Sequence, residues 1–140
     1  MYQLLVPVAA TFLLIGCGTS PTSLADAKLP PAERVYVATF AKTTNPAKLT
    51  VIRDAGLHGA EHVFQIFVNG TRAADLRQGE KLTFPVDSGQ VFIEARMNNI
   101  LGRVPPVQVE TVFVGGKEYF YRVGLDELTL RLLRDIELTK

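Results

Sequence analysis

The residues best suited to chemistry lie in a short run between two strand-like segments. His58, Glu61 and His62 match the pattern H-x-x-E-H. On a helix, the two histidines would lie on one face and bind Zn²⁺, and the glutamate would act as the general base of a hydrolase. Glycines flank His58, and the run 63–68 that follows is β-branched and aromatic, which disfavours a helix. We therefore interpret the motif as a loop, with a zinc-dependent hydrolase as the alternative.

The other polar residues give little support for catalysis. Ser88 lies in an Asp-Ser-Gly turn and lacks the glycines two residues before and after it that a nucleophile elbow needs. Gly115-Gly116 is an isolated pair, not a phosphate-binding loop. We expect no catalytic residue, no cofactor and no bound metal, so the chain is not interpreted as an enzyme.

The N-terminus carries a second chemical signal, centred on the only cysteine. The apolar run 4–15 is too short to span a membrane but has the length of a signal peptide. It ends in Leu14-Ile15-Gly16-Cys17, which resembles the lipobox of bacterial lipoproteins. That resemblance implies a signal peptide over residues 1–16 and a lipid on the thiol of Cys17. With no second cysteine, the mature chain has no disulfide.

The residues after Cys17 indicate the compartment and the partners. Gly18 is similar to the position that sends lipoproteins of Gram-negative bacteria to the outer membrane, so we expect an outer-membrane lipoprotein facing the periplasm. Residues 17–31 are rich in Ser, Thr, Pro and Ala and are predicted to form a lipidated, flexible tether. A net charge of +1 disfavours nucleic acid as a partner. The expected partners are the membrane and an envelope protein.

Residues 32–138 are predicted to form a single all-β domain. Apolar residues alternate with polar ones, as in Leu82, Phe84 and Val86, and the Asn69-Gly70 pair is typical of a hairpin turn. The pattern favours an antiparallel β-sandwich or an open barrel. The last segment, 126–138, fits strand spacing slightly better than helix spacing. We predict strands near residues 34–40, 49–53, 63–68, 71–76, 81–86, 91–97, 107–113, 119–123 and 128–136.

The same alternation predicts which residues form the core. The side chains expected to be buried are Phe40, Ile66, Val68, Phe84, Ile93, Val109, Phe113, Tyr121 and Leu130.

Four short motifs resemble those of small bacterial lipoproteins of uncharacterised function with a PEGA-like sandwich domain. They read VxRDxG at residues 51–56, VNG at 68–70, ADLxxGE at 74–80 and GxxYxYR at 116–122. The resemblance implies a β-sandwich and brings no catalytic residue with it. The turn before the sixth predicted strand departs from the family, because it reads Pro-Val-Asp-Ser-Gly where many relatives have PPG.

Together these features predict a lipid-anchored, non-catalytic binding or structural module of the cell envelope. A docking subunit of an envelope or secretion assembly is the main alternative. If strand directions alternate, the connections 54–62, 77–80, 98–106 and 124–127 share the end of the sandwich where the chain enters from the lipid. Long loops on a rigid scaffold are frequent binding sites. The candidate binding residues in or beside these loops are Arg53, His58, Ile100, Leu101 and Arg103.

Overall fold

A computed structural model describes residues 20–37, 40, 43–56, 60–98, 102 and 104–138. Within these residues, a 3-10 helix at Ala32–Arg34 precedes eight strands. The strands are β1 (Ala47–Arg53), β2 (Phe64–Val68), β3 (Thr71–Leu76), β4 (Lys81–Val86), β5 (Gly89–Met97), β6 (Val107–Phe113), β7 (Glu118–Asp126) and β8 (Thr129–Arg134).

The strands form two four-stranded sheets that pack face to face. Sheet I has the order β4-β1-β7-β8 and sheet II the order β3-β2-β5-β6. The sheets are not closed into a barrel, so the predicted all-β sandwich is confirmed. One pairing differs from the expected antiparallel arrangement, because β1 and β7 are parallel. Strand directions alternate along the chain, so two odd-numbered strands that become neighbours must run the same way.

The core lies between the sheets and follows the predicted alternation. Seven of the nine expected core residues are buried: Ile66, Val68, Phe84, Ile93, Phe113, Tyr121 and Leu130. Phe40 and Val109 are only partly buried and pack against the margin of this cluster. Phe40 makes a tilted contact with Phe84, with ring centroids 5.4 Å apart.

Two end segments test the strand predictions. The last segment contains β8, which confirms the strand interpretation there. The strand predicted near residues 34–40 is wrong in the described part of that range. Val35 forms an isolated bridge with Ala74, and the Tyr36 amide donates to the Ala73 carbonyl at 2.9 Å. The Pro-Pro pair before it favours a turn, and the 3-10 helix that follows includes Arg34, the first residue of the predicted strand.

Residues 20–31, expected to belong to the flexible tether, are instead hydrogen-bonded to the sandwich. Ser20 and Ala55 exchange backbone hydrogen bonds of 2.7 and 3.1 Å. Lys28 bonds to the turn before β4, donating to Gly79 and accepting from Lys81, both at 2.9 Å. Backbone groups satisfied in this way are ordered regardless of how polar their side chains are. We call residues 20–31 the strap.

The β2–β3 hairpin turn has the predicted conformation. Asn69 and Gly70 have φ angles of 49° and 78°, as a type I′ turn requires. Space is available for a side chain at Gly70, so only the positive φ restricts the residue type there.

Replacing Gly70 with valine is therefore expected to destabilise the fold by about 1–2 kcal/mol, because a β-branched residue resists positive φ. Gly70→Asn is the matched control, since asparagine tolerates this region. Chemical denaturation of both variants measures the difference. Equal stability of the valine variant and the parent would contradict the turn assignment.

Candidate functional site

The strap docks at one end of the sandwich, which we call the strap end. Ala55 and Glu80, its bridge partners, follow β1 and precede β4. The Asp54 amide donates to the Val123 carbonyl of β7 at 3.0 Å, and the Asn98 amide donates to the Val63 carbonyl at 3.3 Å. The described parts of the connections 54–62, 77–80, 98–106 and 124–127 therefore lie together at this end. Alternation of strand direction predicts that arrangement.

Arg122 on β7 joins three segments that are far apart in the sequence. Its guanidinium donates to Asp54 at 2.9 Å, to Asp135 at 2.6 Å and to the Thr22 carbonyl of the strap at 2.7 Å. The Thr22 amide in turn donates to Asp54 at 3.0 Å. This network fixes the strap and the segment after β8 to the outer face of sheet I.

The charges of this network reinforce one another. Burial opposes the charged form of Arg122, but its hydrogen bonds to Asp135 and Asp54 outweigh burial and raise its pKa above the ordinary value. Burial likewise opposes ionisation of Asp135, and the hydrogen bond from Arg122 outweighs it and lowers the pKa of that carboxyl. At neutral pH Arg122 and Asp135 are therefore ionised and paired.

A cleft of about 450 Å³ opens beside this network on the outer face of sheet I. Its charged lining is balanced, since three arginines meet three aspartates there. Arg131 pairs with Asp126 at 2.5 Å, and Arg134 lies over the Tyr119 ring. Among the described lining residues the opposite charges are equal in number, so these residues give the cleft no net charge to attract an ionic ligand.

A second ion pair fixes the 3-10 helix that follows the strap. Both terminal nitrogens of Arg34 donate to the Glu80 carboxylate at 2.7 Å, and the Arg77 amide donates to it at 2.7 Å. Burial would raise the pKa of Glu80, but these hydrogen bonds lower it below its ordinary value.

These lowered pKa values predict a loss of stability in acid. A carboxyl with a depressed folded-state pKa stabilises the fold fully above its unfolded pKa, near 4, and loses that contribution as pH falls through the folded value. We expect the melting temperature to fall between about pH 5 and pH 3. At pH 7, Glu80→Gln should have a lower melting temperature than the parent and a free energy of unfolding lower by about 1–3 kcal/mol. Its melting temperature should also depend less on pH in the acid range. Glu118→Gln, in an exposed pair with Lys48, is the control and should change little. Parallel acid curves for the parent and Glu80→Gln would contradict the role of Glu80.

Arg53, a candidate binding residue, lies inside the sandwich. Its side chain is 1% exposed and lies over the Phe64 ring, 3.7 Å from the centroid. It donates to the carbonyls of His62 and Leu76. Burial lowers its pKa to about 10, so it remains a cation at pH 7. The expectation of a surface contact through Arg53 is therefore wrong. A signal was available, because Arg53 shares the inward parity of Leu49 and Val51.

The remaining candidate residues are placed less fully. Cys17, His58, Ile100, Leu101 and Arg103 lie outside the described residues. Within the H-x-x-E-H motif, Glu61 is exposed, and the His62 backbone accepts from Arg53. Among the described residues, no cluster of three His, Cys, Asp or Glu side chains is placed to hold a metal ion. With His58 not described, the zinc hypothesis stays a prediction.

Comparison with known proteins does not identify a family for this chain. No family model matches the chain, and no curated protein matches it either. Within the part that the structure describes, no helix has the length and apolar character needed to cross a bilayer.

Proposed function

We propose that the chain is a lipid-anchored, non-catalytic binding or structural module of the bacterial cell envelope, attached to the outer membrane through Cys17. The observation that carries this proposal is the position of the strap. Ser20 is hydrogen-bonded to the sandwich three residues after Cys17. Three residues span at most about 11 Å of extended chain. A lipid on Cys17 would therefore hold the strap end close to the bilayer.

This attachment gives the domain a defined orientation. The strap end faces the membrane, and the opposite end, with the turns after β2, β4 and β6, faces away from it. The described parts of the connections 54–62 and 98–106 then lie near the membrane. Ile100, Leu101 and Arg103 stay candidate contacts for lipid headgroups or for a nearby partner. Arg53 contributes to this surface only indirectly, by supporting the His62 carbonyl from inside.

Depth-dependent fluorescence quenching tests the orientation. A fluorophore is attached to Arg77→Cys at the strap end or to Ser88→Cys at the opposite end, both exposed positions. The natural cysteine, Cys17, is acylated under this proposal and does not react. In vesicles with headgroup-quencher lipids, the label at residue 77 is expected to be quenched several-fold more than the label at residue 88. Equal quenching would contradict a fixed orientation.

A further inference from the structure

The four edge strands of the sandwich are protected to different degrees. Edges β3 and β4 lie on one side, joined by the short connection 77–80. The bridge from Val35 to Ala74 covers part of β3. Strand β4 contains Pro85, opposite Lys48, whose amide donates to Lys117 on the other side. The backbone nitrogen of Pro85, which carries no hydrogen, therefore faces the free edge of β4, where it blocks pairing with a further strand.

The other two edges, β6 and β8, lie on the opposite side and contact each other. Strand β8 carries Arg131 and Arg134, charges that discourage edge pairing. Strand β6 has no proline and no lysine, and Glu110 is its single charge. Val112 is 66% exposed, and Val107 and Val109 are only half-buried at the open margin of the core. Among the four edges of the described sandwich, β6 has the least protection from described residues.

The pairing of β5 shows which backbone N–H and C=O groups of β6 point away from the sheet. The Phe92 carbonyl accepts from the Asn69 amide, and the Phe92 amide donates to the Asn69 side chain, so both groups of Phe92 point toward β2. Phe92 is opposite Glu110, and opposite residues in an antiparallel pair bond mutually or not at all. The backbone groups of Gln108, Glu110 and Val112 therefore point away from β5. Among the described residues, no backbone group pairs with them.

The side chains of the same three residues lie on the outer face of sheet II. Glu110 accepts from Gln90, and among the described residues no cation lies within ion-pair distance of its carboxylate. A strand added to this edge would place one side chain beside Glu110 and another beside Val112. A basic residue suits the first position, and an apolar β-branched residue suits the second.

We propose that β6 binds an extended segment of an envelope protein as an added antiparallel strand, with a basic residue opposite Glu110 and an apolar residue opposite Val112. The proposal deepens the binding role proposed above and rests on it for the choice of partner. A second copy of the chain fits less well. Symmetric pairing of β6 with β6 of a second copy is antiparallel. If the strands run along the membrane normal, the strap ends of the two copies would then point in opposite directions, and both copies could not be anchored in one membrane.

A designed peptide tests this edge. The probe is acetyl-Thr-Val-Val-Lys-Val-Gln-Thr-amide, which in antiparallel register places its lysine opposite Glu110 and a valine opposite Val112. It is titrated into the isotope-labelled full chain in detergent, followed by amide NMR and hydrogen exchange. We expect saturable shifts along β6 and slower exchange at the amides of Gln108, Glu110 and Val112.

Backbone methylation of the peptide supplies the matched control. N-methylation of the lysine removes an N–H that points at β6, and affinity should fall at least tenfold. N-methylation of the valine opposite Val109 removes an N–H that points away, and affinity should change less than threefold. Equal loss from both peptides would overturn the proposal, as would no saturable binding, or binding at β8.

Variants of the protein supply a second control. Glu110→Pro removes an outward N–H, so it should melt like the parent and lose peptide binding. Thr111→Pro removes a bond to β5 and should lower the melting temperature. Glu110→Lys should bind a peptide with glutamate in place of lysine better than the original one. Concentration-dependent protection of the β6 amides without peptide would overturn the proposal in favour of self-association. The peptide assay does not require the lipid, so its failure differs from failure of anchoring, which the mass of the chain reports separately.

Discussion

Replacing Arg53 with alanine is expected to lower the free energy of unfolding by about 3–5 kcal/mol, a fall in melting temperature of about 10 °C or more. The side chain fills space in the core margin over the Phe64 ring and supplies donors to the carbonyls of His62 and Leu76. Alanine would leave a cavity and two carbonyls without these donors, and each effect is destabilising.

Two further variants separate these contributions. Arg53→Met keeps most of the packing but removes the donors, so it should lose about 1–3 kcal/mol. Arg77→Ala, an exposed arginine nearby, should change stability by less than about 0.5 kcal/mol. Chemical denaturation of the three variants measures the order. If the free energy of unfolding of Arg53→Ala is within about 1 kcal/mol of that of the parent, Arg53 does not hold the end of β1 in place.

Replacing Cys17 with serine is expected to abolish lipidation of the protein almost completely. Each buried CH₂ of an acyl chain contributes about 0.8 kcal/mol, so several chains anchor a protein almost irreversibly, whereas a chain without them dissociates. The variant should accumulate as an uncleaved precursor or a soluble form, detected by fractionation and metabolic labelling with palmitate.

Thr19→Ser is the matched control for this substitution, since it keeps the cysteine and the small residue before it. It should stay in the membrane fraction and incorporate label like the parent. Equal palmitate incorporation in the Cys17→Ser variant would show that the lipid is elsewhere or that the label is nonspecific.

Much of the fold could be predicted from the local pattern of the sequence. Alternating apolar residues located the strands β4 to β7, because one face of each strand points to the core and the other away from it. Asn69-Gly70 marked its turn, because few residue pairs accept positive φ at both positions. The parallel pairing of β1 with β7 was not predicted, because it depends on how the sheets are wound.

The strap and the Arg122 network were not predictable in the same way. The strap is polar and has no hydrophobic period, and its order comes from backbone hydrogen bonds to Ala55, Gly79 and Lys81. Arg122 meets Asp54 across 68 positions and Thr22 across 100. Such contacts follow only from the complete topology, so composition alone indicated a flexible tether where the structure has an attached segment.

The burial of Arg53 could have been predicted from its position in β1, although its residue type indicated the opposite. Arginine is mostly found at the surface, and this tendency favoured a binding role. The alternation of β1 contradicted it, since Arg53 is two residues after Val51 and therefore points inward. Position in the strand was the better guide than residue type.

The mass of the intact protein is the most direct test of lipid attachment at Cys17. The chain is extracted from membranes of an expressing bacterium and measured whole and after tryptic digestion. We expect a protein that begins at Cys17, carries diacylglycerol and a further acyl group on that residue, and has lost residues 1–16. A protein that retains residues 1–16 in full, or is cut elsewhere and carries no lipid, would contradict it.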